Sequence, residues 1–382
     1  MVLSPARGDS VDTIDSFEDA MESITRDVVG FLASKNDQSA SVSVGSFVGP
    51  SPAVSSAGAR IVLSLKRRLG SKVELSDAGK FNVTGRFGGE TFNKRFKLFI
   101  HTEVTDALGS PQHVLRRKLV LDEDETIAFF GPSSLDLEQE SDADSKADSS
   151  LVLTGVKKSE AVVDSILSPK AHVRNRIART SKNGELGIEL LRKSDSGYES
   201  LALESDGKLA KFALNENDVY AVRIHNDRRL PIGVRLSIDG INVFALSQSK
   251  DYQGKDVTMA LCPCSSSTIK GWHLSDSISA EFKVAHFAET EAIKMGVVES
   301  MGTVTARFYD ATANAPLPCA SCDEKLGTVR SRGFAPSRLG TKRGKEIEMN
   351  YATMDVAFGE LLGSVSVRYT QTDHPEDLPP ES

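Results

Sequence analysis

The chain has 382 residues, and its 53 acidic and 46 basic side chains give a net charge of −7 at pH 7. This length predicts two or three domains, since a single domain usually spans about 100–200 residues. The negative charge argues against a protein that coats nucleic acid or a membrane surface, so we do not expect nucleic acid as a partner. No apolar run approaches the roughly 20 residues of a membrane span, and none is expected.

An apolar stripe with helical spacing begins close to the amino terminus. It predicts an amphipathic helix with Ser16 as N-cap, and its members are Ile14, Phe17, Met21, Ile24, Val28 and Phe31. A strand is predicted over 41–47, a second helix over 61–69, and three more strands over 80–87, 95–105 and 114–122. A helix pair on one face of a mixed sheet buries this pattern economically. We therefore predict an α/β domain over residues 12–137.

The order of these motifs resembles the small α/β domain of curli-secretion-channel and TolB N-terminal type bacterial proteins. The resemblance covers roughly residues 15–135 and lies in the segments SVSVGSFVGPS, ARIVLSLKRRL, KFNVTGRF and KLFIHTEVTDALG. It implies a non-enzyme, mostly exported in that group, which assembles or docks onto partners. The start of the chain, MVLSPARGDSVDTIDSFEDA, lacks the apolar core of a secretory signal. We therefore expect a cytoplasmic location unless the chain has already been processed.

The second half of the chain has the pattern of an all-β domain. Residues 138–150 (EQESDADSKADSS) are small and acidic and predict a linker. Short strand-like runs with turn signals every 8–14 residues or so then predict an antiparallel β-sandwich over 151–373, with Asp239-Gly240 as one hairpin turn. This half resembles bacterial domains of unassigned function, and residues 374–382 (HPEDLPPES) are predicted to be disordered. The predicted fold class is therefore α+β.

The four cysteines form two close pairs. Cys262 and Cys264 make a C-x-C motif, and Cys319 and Cys322 make a C-x-x-C motif. Four thiolates delivered by two loops could bind one zinc ion in a tetrahedral site. The alternatives are a redox dithiol at Cys319 and Cys322, or ordinary small side chains and loop thiols. Zinc is the one cofactor that the sequence suggests.

A basic segment over residues 325–345 contains seven lysines and arginines and no acidic residue. It could be a solvated loop, dock on an acidic stretch such as 138–148 of another copy, or follow phosphates. Trp272, the one tryptophan, could anchor the sandwich core or present a ligand platform. The candidate interaction residues are Arg330, Arg332, Arg338, Lys342, Arg343, Lys345 and Trp272.

Recognisable catalytic motifs are missing from the sequence. It contains no P-loop, no G-x-S-x-G and no H-E-x-x-H, and the seven histidines show no metal-ligand spacing. We therefore expect no enzyme, but a structural or interaction protein that self-associates or scaffolds a bacterial assembly. The expected partners are proteins, first of all copies of the same chain. The alternatives are a ligand- or glycan-binding module that uses the sandwich loops, and an enzyme without a recognisable motif.

Overall fold

The structure is a computed structural model. It describes residues 12–14, 16–35, 41–49, 57–76, 78–92, 95–121, 126–127, 130–139, 151–153, 155–252, 257–286, 289–294, 302–313, 339–351 and 356–371. Over these ranges, none of the helices combines the length and the apolar character that a bilayer crossing demands.

The first part of the chain folds into a five-stranded mixed sheet with two helices. The elements are β1 (Asp12–Ile14), α1 (Phe17–Ser34), β2 (Val42–Val48), α2 (Ala57–Gly70), β3 (Phe81–Phe92), β4 (Arg95–Asp106) and β5 (Pro111–Leu121). The strand order is β1-β5-β4-β3-β2. The two outer pairs, β1 with β5 and β2 with β3, are parallel, and the inner pairs are antiparallel. The predicted mixed sheet is confirmed.

Both helices pack on the same face of this sheet. Apolar side chains from α1, from α2 and from alternate positions of the strands form one buried cluster. Ser16 caps α1 as predicted, since its hydroxyl accepts a hydrogen bond from the Asp19 backbone N–H at 3.1 Å. Ile14, which the sequence assigned to the helical stripe, instead lies in β1 opposite Leu119. The helix therefore begins only after its cap.

The rest of the chain is rich in strands. Its elements are β6 (Ser134–Asp136), β7 (Glu138–Gln139), β8 (Leu151–Val152), α3 (Gly155–Leu167), β9 (His172–Arg174), β10 (Ile177–Arg179), β11 (Leu186–Ser194), β12 (Gly197–Ser200), β13 (Glu204–Ser205), β14 (Ala210–Leu214), β15 (Val219–Asn226), β16 (Ile232–Ile238), β17 (Ile241–Asn242), β18 (Met259–Leu261), β19 (Ser265–Ile269), β20 (Gly271–Ser275), β21 (Ile278–His286), α4 (Glu291–Lys294), β22 (Thr303–Ala313), β23 (Leu339–Glu348) and β24 (Val356–Gln371).

β7 pairs with β8 in a small two-stranded sheet, and the remaining strands form two larger sheets that share one core. The first sandwich sheet follows the order β20-β21-β15-β11-β10-β9, with β12, β19 and β23 paired to it. The second follows β13-β14-β24-β22-β16-β17, with β6 and β18 paired to it. Buried apolar side chains of both sheets belong to a single cluster, as expected for a sandwich. One neighbouring pair, β14 with β24, is parallel in a sandwich that the sequence predicted to be antiparallel.

The chain enters the sandwich before the predicted linker begins. Ser134–Asp136, which the sequence placed in the first domain, pairs with β24. Glu138 pairs with Arg228 at 2.9 Å, and Asp136 accepts a hydrogen bond from Ser181 at 2.6 Å. These contacts explain why such polar residues are ordered on the sandwich. Residues 140–150, and the predicted tail at 374–382, lie outside the described residues.

Helix α3 connects the two parts by packing. Its Ile166 lies against the N-terminal core cluster and also against a small third cluster. That third cluster includes Leu135 and Leu137 from the start of the sandwich and Tyr309 and Leu361 from its strands. The two parts of the chain therefore share packed side chains next to the segment that the sequence marks as a linker.

Candidate binding surface

The N-terminal sheet has a second face that α1 and α2 do not cover. Because side chains alternate along a strand, the residues between the core positions of β3, β4 and β5 point to this face. The middle of the run Arg116-Arg117-Lys118 illustrates the alternation. Arg117 is buried on the helix side and forms an ion pair with Asp27 of α1, whereas Arg116 is exposed on the other face.

Two neighbouring rows of this second face form a patch, which we call the open patch. The strand registers place Arg86, His101 and Arg116 side by side in one row and Gly88, Phe99 and Lys118 in the next. Arg86 and Arg116 lie two strands apart, about 10 Å, since neighbouring strands are separated by about 4.8 Å. The open patch therefore consists of three cations, one imidazole, one aromatic ring and one glycine, and its members are Arg86, Gly88, Phe99, His101, Arg116 and Lys118.

Hydrogen bonds hold the imidazole at the centre of the first row. Arg116 Nε donates to His101 Nδ1 at 3.3 Å, and His101 Nε2 lies 2.9 Å from Glu103 Oε1. An arginine can only donate, so Nδ1 accepts and Nε2 carries the proton that it donates to Glu103. The ring is thereby fixed in one orientation between a cation and a carboxylate.

The two sides of the Phe99 ring, in the second row, have different neighbours. The Lys118 ammonium lies 5.4 Å from the centre of the Phe99 ring, as in a cation–π contact. On the other side, a Cβ atom built onto Gly88 would meet no heavy atom within 4 Å. The ring therefore has a cation on one side and open space above Gly88 on the other.

The charge of the open patch is opposite in sign to that of the whole chain. Arg86, Arg116 and Lys118 are opposed by Glu103 in the adjoining row, while the chain carries −7 overall. Next to Glu103, Val114 is 45% exposed and adds an apolar side chain to the surface. A mixed basic and apolar face of this kind suits an anionic partner.

The basic segment predicted as an interaction surface is only partly described. Lys342, Arg343 and Lys345 lie on β23, which pairs with β21 at the edge of the first sandwich sheet. Lys342 forms an ion pair with Glu289, and Arg343 Nε lies 3.4 Å from Glu291 Oε1. Both cations are thus already engaged within the chain. Arg330, Arg332 and Arg338 lie outside the described residues.

Trp272 does not contribute to a surface. It is 0% exposed in the sandwich core, edge-on to Phe282 with 5.3 Å between the ring centres. The structure therefore corrects its assignment as an interaction residue, because β20 is buried at four consecutive positions that include Trp272. The core-anchor interpretation applies, and the ligand-platform alternative has no accessible ring at this position.

The cysteines are described only in part. Cys262 is disulfide-bonded, so its sulfur is not a thiolate available to zinc in this form. Cys264 lies two residues further along, in a turn with positive φ. Cys319 and Cys322 lie outside the described residues. In the described ranges, three His, Cys, Asp or Glu side chains never come together as a metal site would require. The four-cysteine zinc site stays a prediction.

A buried carboxylate on the first sandwich sheet is held by two basic side chains. Arg223 Nη1 lies 3.1 Å and His225 Nε2 2.9 Å from the same oxygen of Glu189. Burial by itself raises the pKa of Glu189, but the hydrogen bond to His225 and the charge of Arg223 outweigh it and lower the pKa to about 2. The carboxylate is therefore fully ionised and engaged at neutral pH, which is typical of a structural ion pair.

A second buried carboxylate, Asp239, connects the two sandwich sheets. It sits in the predicted Asp239-Gly240 turn, where both residues have positive φ, and joins β16 to β17. Its oxygens accept hydrogen bonds from Gly302 N at 2.8 Å, Thr341 N at 2.7 Å and the Tyr369 hydroxyl at 2.6 Å. A row of hydroxyls continues from Tyr369 through Thr341 to Tyr220.

We expect this carboxylate to make stability depend on pH. Burial raises the pKa of Asp239 to about 6, although the Tyr369 hydroxyl and the backbone N–H groups oppose the shift. A raised pKa in the folded state favours the protonated form, so the stabilising contribution is complete at low pH and is lost as the pH rises through 6. The hydroxyl row can reverse its donors when Asp239 takes up a proton.

The measurement compares wild type with Asp239→Asn between pH 7.5 and 5. The free energy of unfolding of the wild type should rise relative to the variant by on the order of 1–1.5 kcal/mol. Burial lowers the pKa of both His172 and His273, so these two histidines destabilise the fold as the pH falls over the same range. Their contribution is the same in wild type and variant and cancels in the difference between the two free energies of unfolding. A difference that stays constant across this range would contradict the assignment.

Comparison with known proteins adds no relative. No family model matches the chain, and neither a curated protein nor a solved structure matches it. The resemblance to curli-secretion-channel and TolB N-terminal type proteins therefore stays an expectation.

Proposed function

We propose that this chain is a non-catalytic interaction protein that binds an anionic partner through the open patch. The observation that carries the proposal is the pair of rows on β3, β4 and β5, which gather three cations around a partly exposed aromatic ring on a chain of opposite net charge. The buried carboxylates Glu189 and Asp239 support a structural role for the sandwich, since each is engaged by hydrogen bonds within the chain.

The first candidate for a protein partner is another copy. Residues 140–150 contain four acidic residues and one lysine, and so carry a net charge opposite to that of the open patch. Self-association through these two segments would be weakened by salt, because exposed charges are screened over about 10 Å at 0.1 M ionic strength. The sequence-based expectation of a self-associating scaffold is thus given a specific surface.

The test reverses the charge of the patch. We expect Arg86→Glu, Arg116→Glu and Lys118→Glu, combined in one variant, to weaken binding to fluorescein-labelled dextran sulfate at least about tenfold in 50 mM salt. The readout is fluorescence anisotropy over a salt series. Light scattering after size exclusion, at low and high salt, reports whether an oligomer disappears in the same variant.

A matched variant controls for total charge. Lys182, Arg192 and Lys208 are exposed on the sandwich, and their combined replacement by glutamate changes the net charge by the same amount. Dextran sulfate binding of this control should stay within about threefold of wild type. Equal losses in both triple variants, or no binding by the wild type, would refute the proposed surface.

A further inference from the structure

We propose that the open patch binds single-stranded nucleic acid. This inference rests on the proposed function and adds the chemical class of the partner. The negative net charge of the whole chain argues against nucleic acid as a partner. The open patch, however, is locally positive. The proposal depends on the aromatic ring, which a purely electrostatic surface does not need.

The ring occupies the position that a stacking platform requires. Phe99 lies on β4, in the middle of the patch, with cations on β3 and β5 to either side. Single-stranded nucleic acids bind to surfaces that combine positive charge along the backbone with aromatic rings on which bases stack. The partly exposed Phe99 with its neighbouring arginines has both parts.

Gly88 keeps one side of the ring accessible. A planar base placed against Phe99 on that side would lie above Gly88, where even an added Cβ atom has no neighbour within 4 Å. Any larger residue at this position of β3 would put a side chain beside the ring. On the other side, Lys118 is close enough to contact a phosphate attached to the stacked nucleotide while it stays near the ring.

The arginines and the imidazole supply contacts around the base. Arg86 and Arg116 are exposed and sit at the two ends of the adjoining row, in position for phosphates on either side of a stacked base. The His101 ring is fixed between them by Arg116 and Glu103. A duplex fits less well, because its base faces are hidden in the helical stack, and an acidic peptide would leave Phe99 without a role.

The experiment separates stacking from charge. Binding of the full chain to a fluorescein-labelled oligothymidylate is measured by anisotropy and compared with the dextran sulfate values. We expect Phe99→Ala to weaken oligothymidylate binding by about 5- to 100-fold, the range for loss of one stacked base, and to leave dextran sulfate binding within about twofold. Phe99→Tyr keeps the ring and should bind like wild type.

The salt dependence gives a second readout. Three phosphate contacts predict a slope of about −2 for the logarithm of the association constant against the logarithm of salt concentration. The combined Arg86→Glu, Arg116→Glu and Lys118→Glu variant should lose this slope. Thermal unfolding of each variant confirms that the sheet is intact, which is expected because these side chains lie outside the core.

The outcomes distinguish the two proposals. If dextran sulfate and oligothymidylate bind equally and Phe99→Ala affects neither, the nucleic-acid inference is overturned and the proposed function stands. The inference also fails if polyglutamate or a duplex competes as well as the single strand, or if thymidine monophosphate displaces the strand at micromolar concentration. If neither polyanion binds to the wild type, both proposals fail together.

Discussion

Replacing Asp239 by alanine should destabilise the protein by at least about 3 kcal/mol, because three buried hydrogen-bond donors lose their acceptor at once. The donors are Gly302 N, Thr341 N and the Tyr369 hydroxyl, which come from three separate strands or turns. Asp239 is 1% exposed, so the donors that the truncation leaves without an acceptor are not in contact with bulk solvent. The measurement is the free energy of unfolding from a urea or guanidinium titration.

A graded series identifies the cause of this loss. Tyr369→Phe removes the hydrogen bonds of the hydroxyl to Asp239 and Thr341 and should cost about 1–2 kcal/mol. Asp239→Asn should fall between the two, because its amide nitrogen would face either the Thr341 N–H or the donors around the other oxygen. Asp195→Ala, at an exposed turn, is the control and should stay within about 0.5 kcal/mol of wild type. If Asp239→Ala behaves like Asp195→Ala, the carboxylate does not hold the sheets together.

A single methyl group added to β3 should have opposite consequences at two positions three residues apart. At Gly85, a Cβ atom would lie 2.2 Å from the backbone oxygen of His101 and 2.5 Å from the Phe47 ring. At Gly88, it would meet nothing within 4 Å. Gly85→Ala should therefore destabilise the protein by about 2–4 kcal/mol, since a backbone oxygen on the paired strand cannot move without breaking the ladder.

Gly88→Ala is the matched control for this pair. It makes the same change on the same strand and should be neutral or slightly stabilising, because alanine reduces the freedom of the unfolded chain. Chemical unfolding followed by circular dichroism compares the two variants directly. Equal stability of the two variants would show that β2 and β4 can move away from Gly85 and would contradict this prediction.

The elements that the sequence predicted well are those whose pattern is local. The apolar stripe of α1 and its Ser16 cap depend on residues within a few positions of one another, and so does the Asp239-Gly240 turn. Burial follows from such periodicity, so fold class and sheet type could be inferred. The predicted ends of the elements were less accurate where pairing with a distant strand determines them, as for Ile14 and for Ser134–Asp136.

The open patch could not be predicted, because its residues meet only through strand register. Arg116, Arg117 and Lys118 are three consecutive cations in the sequence, and nothing local shows that the middle one pairs with Asp27. Their neighbours on β3 and β4 depend on where each hairpin turns. Assigning these segments as strands predicts that their side chains alternate between the two faces of the sheet. A shift of one residue in the pairing register, however, would move every one of these side chains to the other face.

The role of Asp239 was missed for a related reason. Turn chemistry explained why an aspartate stands before a glycine, and this explanation was correct as far as it went. The groups that its carboxylate binds, however, are 63, 102 and 130 residues further along the chain. A side chain with two functions, one local and one distant, shows only the local one in the sequence.

The position of β24 has a consequence for how the protein is made. This last strand of the sandwich lies inside the second sheet, between β14 and β22, and it also pairs with β6 from the beginning of the same region. The sheet thus lacks its middle until residues 356–371 have been synthesised, and its earlier strands β6, β14 and β22 have unpaired edges until then. Such non-local pairing forms slowly, and open strand edges promote aggregation, so the second sheet is the part of the sandwich whose folding depends most on a late segment of the chain.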